Sequence, residues 1–182
     1  MKQLSEQQIV ENWGKLIQLI EDTFSGERKE KLLEMYKYFE DRMSVAPASG
    51  KAAYHNAMIG GYVEHVLHVT DCALQIKKLW ESNGAMINFT DEELVFAAMH
   101  HDLGKVGDEL GNEYYIPNES EWHIKNQGRI YNVNPEIEHM NVTDRSLFLL
   151  QHYDIKYSSK EFYGIRLADG MYEDGNISYL KT

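Results

Sequence analysis

At 182 residues the chain has the length of one domain, and the 43% of it that is hydrophobic suffices for a single core. Lys+Arg 18 against Asp+Glu 29 leaves a formal charge of -11, a field that repels nucleic-acid backbones and sets long duplex partners aside. No apolar run approaches the roughly 20 residues of a membrane span, the N-terminus lacks a secretory signal pattern, and the lone Cys72 forbids an internal disulfide, so a cytoplasmic protein with no membrane partner is expected.

Helical periodicity dominates in chain order. Residues 4–24 carry Ser5 and then Ile9, Trp13, Leu16, Ile17 and Ile20 at spacings of three and four, an amphipathic helix. Residues 27–43 repeat the pattern through Leu32, Met35, Tyr36 and Phe39, and residues 44–61, with Pro47, Gly50, Gly60 and Gly61, read as a loop. A third helix over about 62–80 aligns Tyr62, Val66, Val69, Ala73, Ile76 and Trp80 in one stripe. Thr90 with Glu93 forms a capping-box pattern, and the helix it opens should stop near Gly104. Residues 107–120 are turn-rich, with a short extended piece at Tyr114-Tyr115-Ile116, and further helices follow at 143–152 and about 159–169. Without a series of alternating strands the class is all-α, a single domain of N-terminal helices (1–45) and a following core (46–182).

The directions of the histidines carry the chemistry. Stepping about 100° per residue puts His65 at the edge of the third helix's apolar stripe and His68 about 60° further toward Glu64 and Asp71. On the helix opened by Thr90, His101 shares a face with Leu94, Ala97 and Ala98, while His100 points roughly 100° away, out of the core. Asp169 falls with Phe162, Ile165 and Arg166 on the last helix, a carboxylate on an apolar face that is costly unless it meets a cation. Any one of these histidines alone is more often a hydrogen-bonded core residue than a ligand. Three inward polar groups on three helices, however, suggest a shared metal, for which imidazole and carboxylate donors suit Zn, Mn, Fe, Co or Ni. An open-site ion of that kind activates water and neutralises charge building on phosphorus.

These residues resemble the signature of the HD-domain metal-dependent phosphohydrolases: a histidine on one helix, an adjacent His-Asp pair on a later one, and a distant aspartate. The match reads Gly60-Gly61-Tyr62-Val63-Glu64-His65, then His101-Asp102-Leu103-Gly104-Lys105, then Ala168-Asp169-Gly170. It extends over most of the chain from about Tyr54, and Tyr114-Tyr115-Ile116-Pro117, Glu121-Trp122-His123 and Asp144-Arg145-Ser146-Leu147-Phe148-Leu149-Leu150-Gln151 look like small HD proteins carried by bacteriophages. The resemblance implies an HD-type helical bundle in which His65, His101, Asp102 and Asp169 bind one divalent transition metal (Mn, Co, Ni, Fe or Zn, with Mg also admitted). Asp102, Lys105 and His100 are then the candidate catalytic groups, Lys105 offering its charge to a substrate phosphate. Some relatives that dephosphorylate nucleoside monophosphates carry a glutamate where Lys105 stands, which speaks against a simple 5′-nucleotidase. Lys51-Ala52-Ala53-Tyr54-His55-Asn56 resembles the entrance loop of HD exonucleases, which implies that His55 either contacts phosphate or stands just behind the metal ligands. Trp122, Tyr115 and Arg129, in the least regular region, are candidates to stack a base and hold phosphate, with His123 beside them. His123 and His152 have no spacing that argues for a second ion, and one is expected.

The expected activity is hydrolysis of phosphate from a nucleotide, above all a deoxynucleoside tri- or monophosphate. The alternatives are a phosphodiesterase acting on cyclic nucleotides or RNA 3′ ends and, in another class, a catalytically silent nucleotide sensor. The expected partner is a small nucleotide; a homo-oligomer is compatible with the resemblance, and a phage-borne protein would act in the cytoplasm of a bacterial host.

Overall fold

The computed structural model describes residues 3–179. Ser5 opens helix α1 (Glu6–Thr23) with a complete capping box, its hydroxyl taking the Gln8 N–H while the Gln8 side chain takes its own. Leu16 and Ile20 of α1 pack against α2 (Gly26–Met43), which buries Leu32, Met35, Tyr36, Phe39 and Met43. The expected third and fourth helices follow as α3 (Gly61–Ser82) and α4 (Asp91–His100), the latter opened by the Thr90–Glu93 box. Helices α6 (Val142–His152) and α7 (Ser159–Arg166) close the bundle, with a short α5 (Glu121–Gln127) between α4 and α6. One cluster of buried apolar side chains runs from Leu16 to Ile165 and draws on α1, α2, α3, α4, α6 and α7, so the N-terminal helices and the segment that follows them share a core. Among the described residues no helix is long and apolar enough to cross a membrane.

Three features depart from the sequence expectations. The apolar stripe of α3 is buried only in its first half: Tyr62 and Val66 lie in the core, whereas Ile76 and Trp80, together with Leu79, are more than half exposed. The last helix stops at Arg166, three residues short of Asp169, because the chain turns through Leu167 and reaches Gly170 at φ +55, a left-handed conformation that glycine adopts without steric cost. The extended piece exists, shifted by one residue, as strand β1 (Tyr115–Pro117), and it pairs antiparallel with an unforeseen strand β2 (Tyr131–Val133) in the register Tyr115↔Val133, Ile116↔Asn132 and Pro117↔Tyr131.

This hairpin and the loop before α3 are sewn together. Ala52 N–H donates to Gly128 O at 2.7 Å, the Ile130 and Tyr131 N–H groups donate to Gly50 O at 2.9 and 3.0 Å, and Lys51 pairs with Arg129 in an isolated antiparallel bridge. On the other side, the single 3-10 turn Leu103–Val106 that follows α4 lies against α6, where Gly104 N–H donates to Ser146 Oγ at 2.8 Å. A Cβ at Gly104 would collide with the Val142 carbonyl and crowd Arg145, so only glycine lets α6 approach this closely. Arg28 ties three helices by pairing with Glu161 of α7 at 2.7 Å and Glu92 of α4 at 3.0 Å while covering the Phe96 ring at 4.0 Å.

Candidate metal centre and the cleft beside it

Three segments deliver the site. The loop before α3 brings His55, the second turn of α3 brings His65, and the end of α4 brings His101, Asp102 and Lys105 in quick succession. His65 Nε2 and His101 Nε2 stand 3.2 Å apart, and Asp102 Oδ2 lies 3.4 Å from the first and 3.3 Å from the second. Donor atoms sharing one ion at bond lengths near 2.1 Å stand about 3.0–3.4 Å apart, so these three atoms are spaced as ligands of a common cation would be. His101 Nδ1 donates to the Ala98 carbonyl at 2.8 Å, which in the neutral ring fixes the tautomer and leaves Nε2 as the ring's ligand atom. His55 stacks on His65 with ring centroids 4.3 Å apart, and His55, His65 and Asp102 offer ligand atoms within 4.8 Å of one another. The residues present therefore fit a divalent ion by donor type and by spacing.

The electrostatics point the same way. Burial alone would raise the Asp102 carboxyl, but hydrogen bonds from His101 and His65 and the charge of Lys105 hold it well below the usual carboxylate range. Burial works against a proton on His101, yet Asp102 overcomes it and raises the imidazole pKa. His55 moves down, first through burial and then through the neighbouring His65 and Lys105. Lys105 Nζ sits 2.7 Å from the same Oδ2 that faces both imidazoles. An anionic oxygen that attracts every nearby positive charge is what a cation site requires.

Other expected groups fall elsewhere. His100 is fully buried, contrary to its expected outward direction, with Nδ1 donating to Phe96 O at 2.7 Å and its ring 4.4 Å from that of Phe96. The helical wheel treated α4 as one-sided, whereas α4 packs on α3 and α7 and also turns Phe96 toward Phe24 and His100 toward Tyr36, so His100 lies in the core. Asp169 is exposed, not buried on an apolar face, because α7 ends before it. It does border a cavity of about 560 Å³ shared with Lys105, Tyr114 and Arg145, and Tyr114, raised first by burial, feels the charges of both Asp102 and Asp169. Trp122 is 60% exposed on α5 with its ring 5.3 Å from that of His123, and neither lines the cavities at the cluster.

Lys105, His55, Tyr115 and Arg129 do come together. They line a cleft of about 600 Å³ whose walls also include Lys51, Tyr54, Tyr131 and Asn132. Those four were not singled out from sequence. Lys51 and Tyr54 stand in the same short stretch as His55, but that Lys51 faces Arg129 depends on a pairing between segments far apart in sequence. No family model, curated protein or solved structure matches this chain.

Proposed function

We propose that the chain is a divalent-metal-dependent phosphohydrolase of the HD type that acts on the phosphate of a nucleotide. The observation that carries this reading is the convergence of His65 Nε2, His101 Nε2 and Asp102 Oδ2, 3.2 to 3.4 Å apart, beside a cleft that holds Lys105. A divalent ion bound there supplies Lewis acidity, activating water and neutralising charge on phosphorus. Asp102 orients both imidazoles and balances the charge, and Lys105, the only group of this cluster with a flexible stem, can leave Oδ2 and meet a substrate oxygen in the cleft. Asp169, across the neighbouring cavity, is the proposed fourth ligand on the strength of the Ala168-Asp169-Gly170 resemblance.

The test is a panel of deoxynucleoside mono- and triphosphates incubated with Mn, Co or Ni and read for released phosphate, pyrophosphate or triphosphate. Asp102→Ala and Asp169→Ala should each abolish turnover and metal content, whereas His68→Ala, at an exposed position on α3, should do little. Full activity in Asp169→Ala would remove that residue from the site. The stacking of His55 on His65 favours one second reading, a phosphodiesterase on RNA 3′ ends, since its loop is the part that resembles HD exonucleases. Cleavage of a short RNA in place of the nucleotide panel would decide for it. Tight nucleotide binding with no turnover under any of the three metals would point instead to a silent sensor.

A further inference from the structure

The two cations on the outer wall of the cleft are held in an unusual way. Lys51 and Arg129 are partners in the isolated antiparallel bridge, fixed by the backbone bonds from Ala52 to Gly128 and from Ile130 to Gly50. Residues opposed in this way carry their side chains to the same side with Cβ atoms roughly 5 Å apart, and like charges so placed are destabilising. Among the described residues neither side chain makes an ion pair, and Lys51 leans only on the Tyr54 ring at 5.6 Å. The cleft they share with Lys105 has no Asp or Glu on its walls, in a chain where acids outnumber bases 29 to 18. An acidic protein that opposes two unpaired cations over a carboxylate-free cleft has built a place for an anion.

We propose that Lys51 and Arg129 form a clamp for the far phosphates of a nucleoside di- or triphosphate. His55 and Lys105 belong both to this cleft and to the metal-site cluster, so one phosphate chain can engage the cluster at one end and the clamp at the other. Arg129 offers a planar fork to two phosphate oxygens and Lys51 a compact point charge, while Tyr54, Tyr115 and Tyr131 leave aromatic surface for the nucleoside. A monophosphate has only one phosphate to divide between the two ends. The identity of the substrate rests on the phosphohydrolase reading, but binding at the clamp needs no metal.

Calorimetry on the full chain in EDTA, with inorganic phosphate, pyrophosphate and tripolyphosphate as probes, tests the clamp by itself. Affinity should climb from phosphate to tripolyphosphate, and Lys51→Gln and Arg129→Gln should each weaken tripolyphosphate by about tenfold, the loss of one charge-assisted contact. Lys51→Glu should abolish tripolyphosphate binding and raise the thermal midpoint, because the new carboxylate faces Arg129; a damaged fold would lower it. Mn²⁺ affinity without phosphate should stay within about twofold in all three variants. Unchanged tripolyphosphate affinity in Arg129→Gln would overturn the clamp, as would a short oligonucleotide that binds through these residues while tripolyphosphate does not. Tripolyphosphate binding that falls in the variants, together with a wild-type chain that holds none of Mn²⁺, Co²⁺, Ni²⁺, Fe²⁺, Zn²⁺ or Mg²⁺, would support the clamp and remove the phosphohydrolase reading.

Discussion

His100 and His101 are neighbours with opposite duties. His101 spends one nitrogen on Ala98 O and turns the other to Asp102, while His100 spends one on Phe96 O and leaves Nε2 buried without a partner. Burial pushes the His100 imidazole down to about 3, so it is a neutral ring packed as an aromatic. A buried unpaired polar atom costs about 1–3 kcal/mol, and an apolar side chain of similar size removes that cost. His100→Leu should therefore hold or raise the thermal midpoint and keep Mn²⁺ binding; a fall of more than about 5 °C, or loss of Mn²⁺, would return His100 to the site. Asp108 shows the reverse economy. Burial works to raise its carboxyl, but the side chain and N–H of Asn112 and the N–H of Leu110 overcome it and hold the pKa low. A group depressed in the folded state stabilises above its unfolded pKa near 4, and that contribution fades as pH falls through the folded value. Asp108→Asn should cost roughly 1–2 kcal/mol in denaturant titrations at pH 7, and the gap to wild type should narrow steadily below about pH 4.

Among the elements, α7 depends most on a single ion pair. Glu161 is 1% exposed and caps its own helix through Ser158, and Arg28 of α2 neutralises it at 2.7 Å. Arg28→Ala strands that carboxylate, and the cost should be about 3 kcal/mol, the low end for a buried pair because Arg28 keeps 24% of its surface in water. Chemical denaturation reads it; a loss under about 1 kcal/mol would mean that Glu161 finds water or another donor. The elements also show what the sequence makes legible. Ser5 and the Thr90–Glu93 box mark helix starts by local hydrogen bonding alone, so α1 and α4 begin where the residues say, and α7 carries a like box at Ser158–Glu161 that was not read from sequence. Helix ends and faces depend on neighbours: α7 stops at a turn that a wheel cannot see, and α4 is surrounded, which reversed the assignment of His100. The short α5 and the three-residue strands are too brief to show a period, and so the pairing of Lys51 with Arg129 stayed hidden although Arg129 and Tyr115 were already named as candidates to hold phosphate and stack a base. That His65, His101 and Asp102 face one another was readable because each follows a helix phase or a dipeptide, whereas Asp169 was placed on a helix that does not extend to it.

Across the whole molecule, charge and shape pull in different directions. The formal charge of -11 makes copies repel one another at long range, while the exposed end of α3 presents Ile76, Leu79 and Trp80 to solvent. Long-range repulsion weakens as salt is added, the screening length falling from about 30 Å at 0.01 M to about 10 Å at 0.1 M, but contact between apolar side chains does not. Static light scattering should accordingly show a second virial coefficient that is strongly positive in dilute buffer and declines with salt. The Ile76→Lys and Trp80→Lys chain should decline less; identical curves for the two chains would clear this ridge of any part in self-contact. On this prediction the half of α3 that the core leaves uncovered ties the protein's colloidal behaviour, and not only its stability, to how far one helix outruns its neighbours.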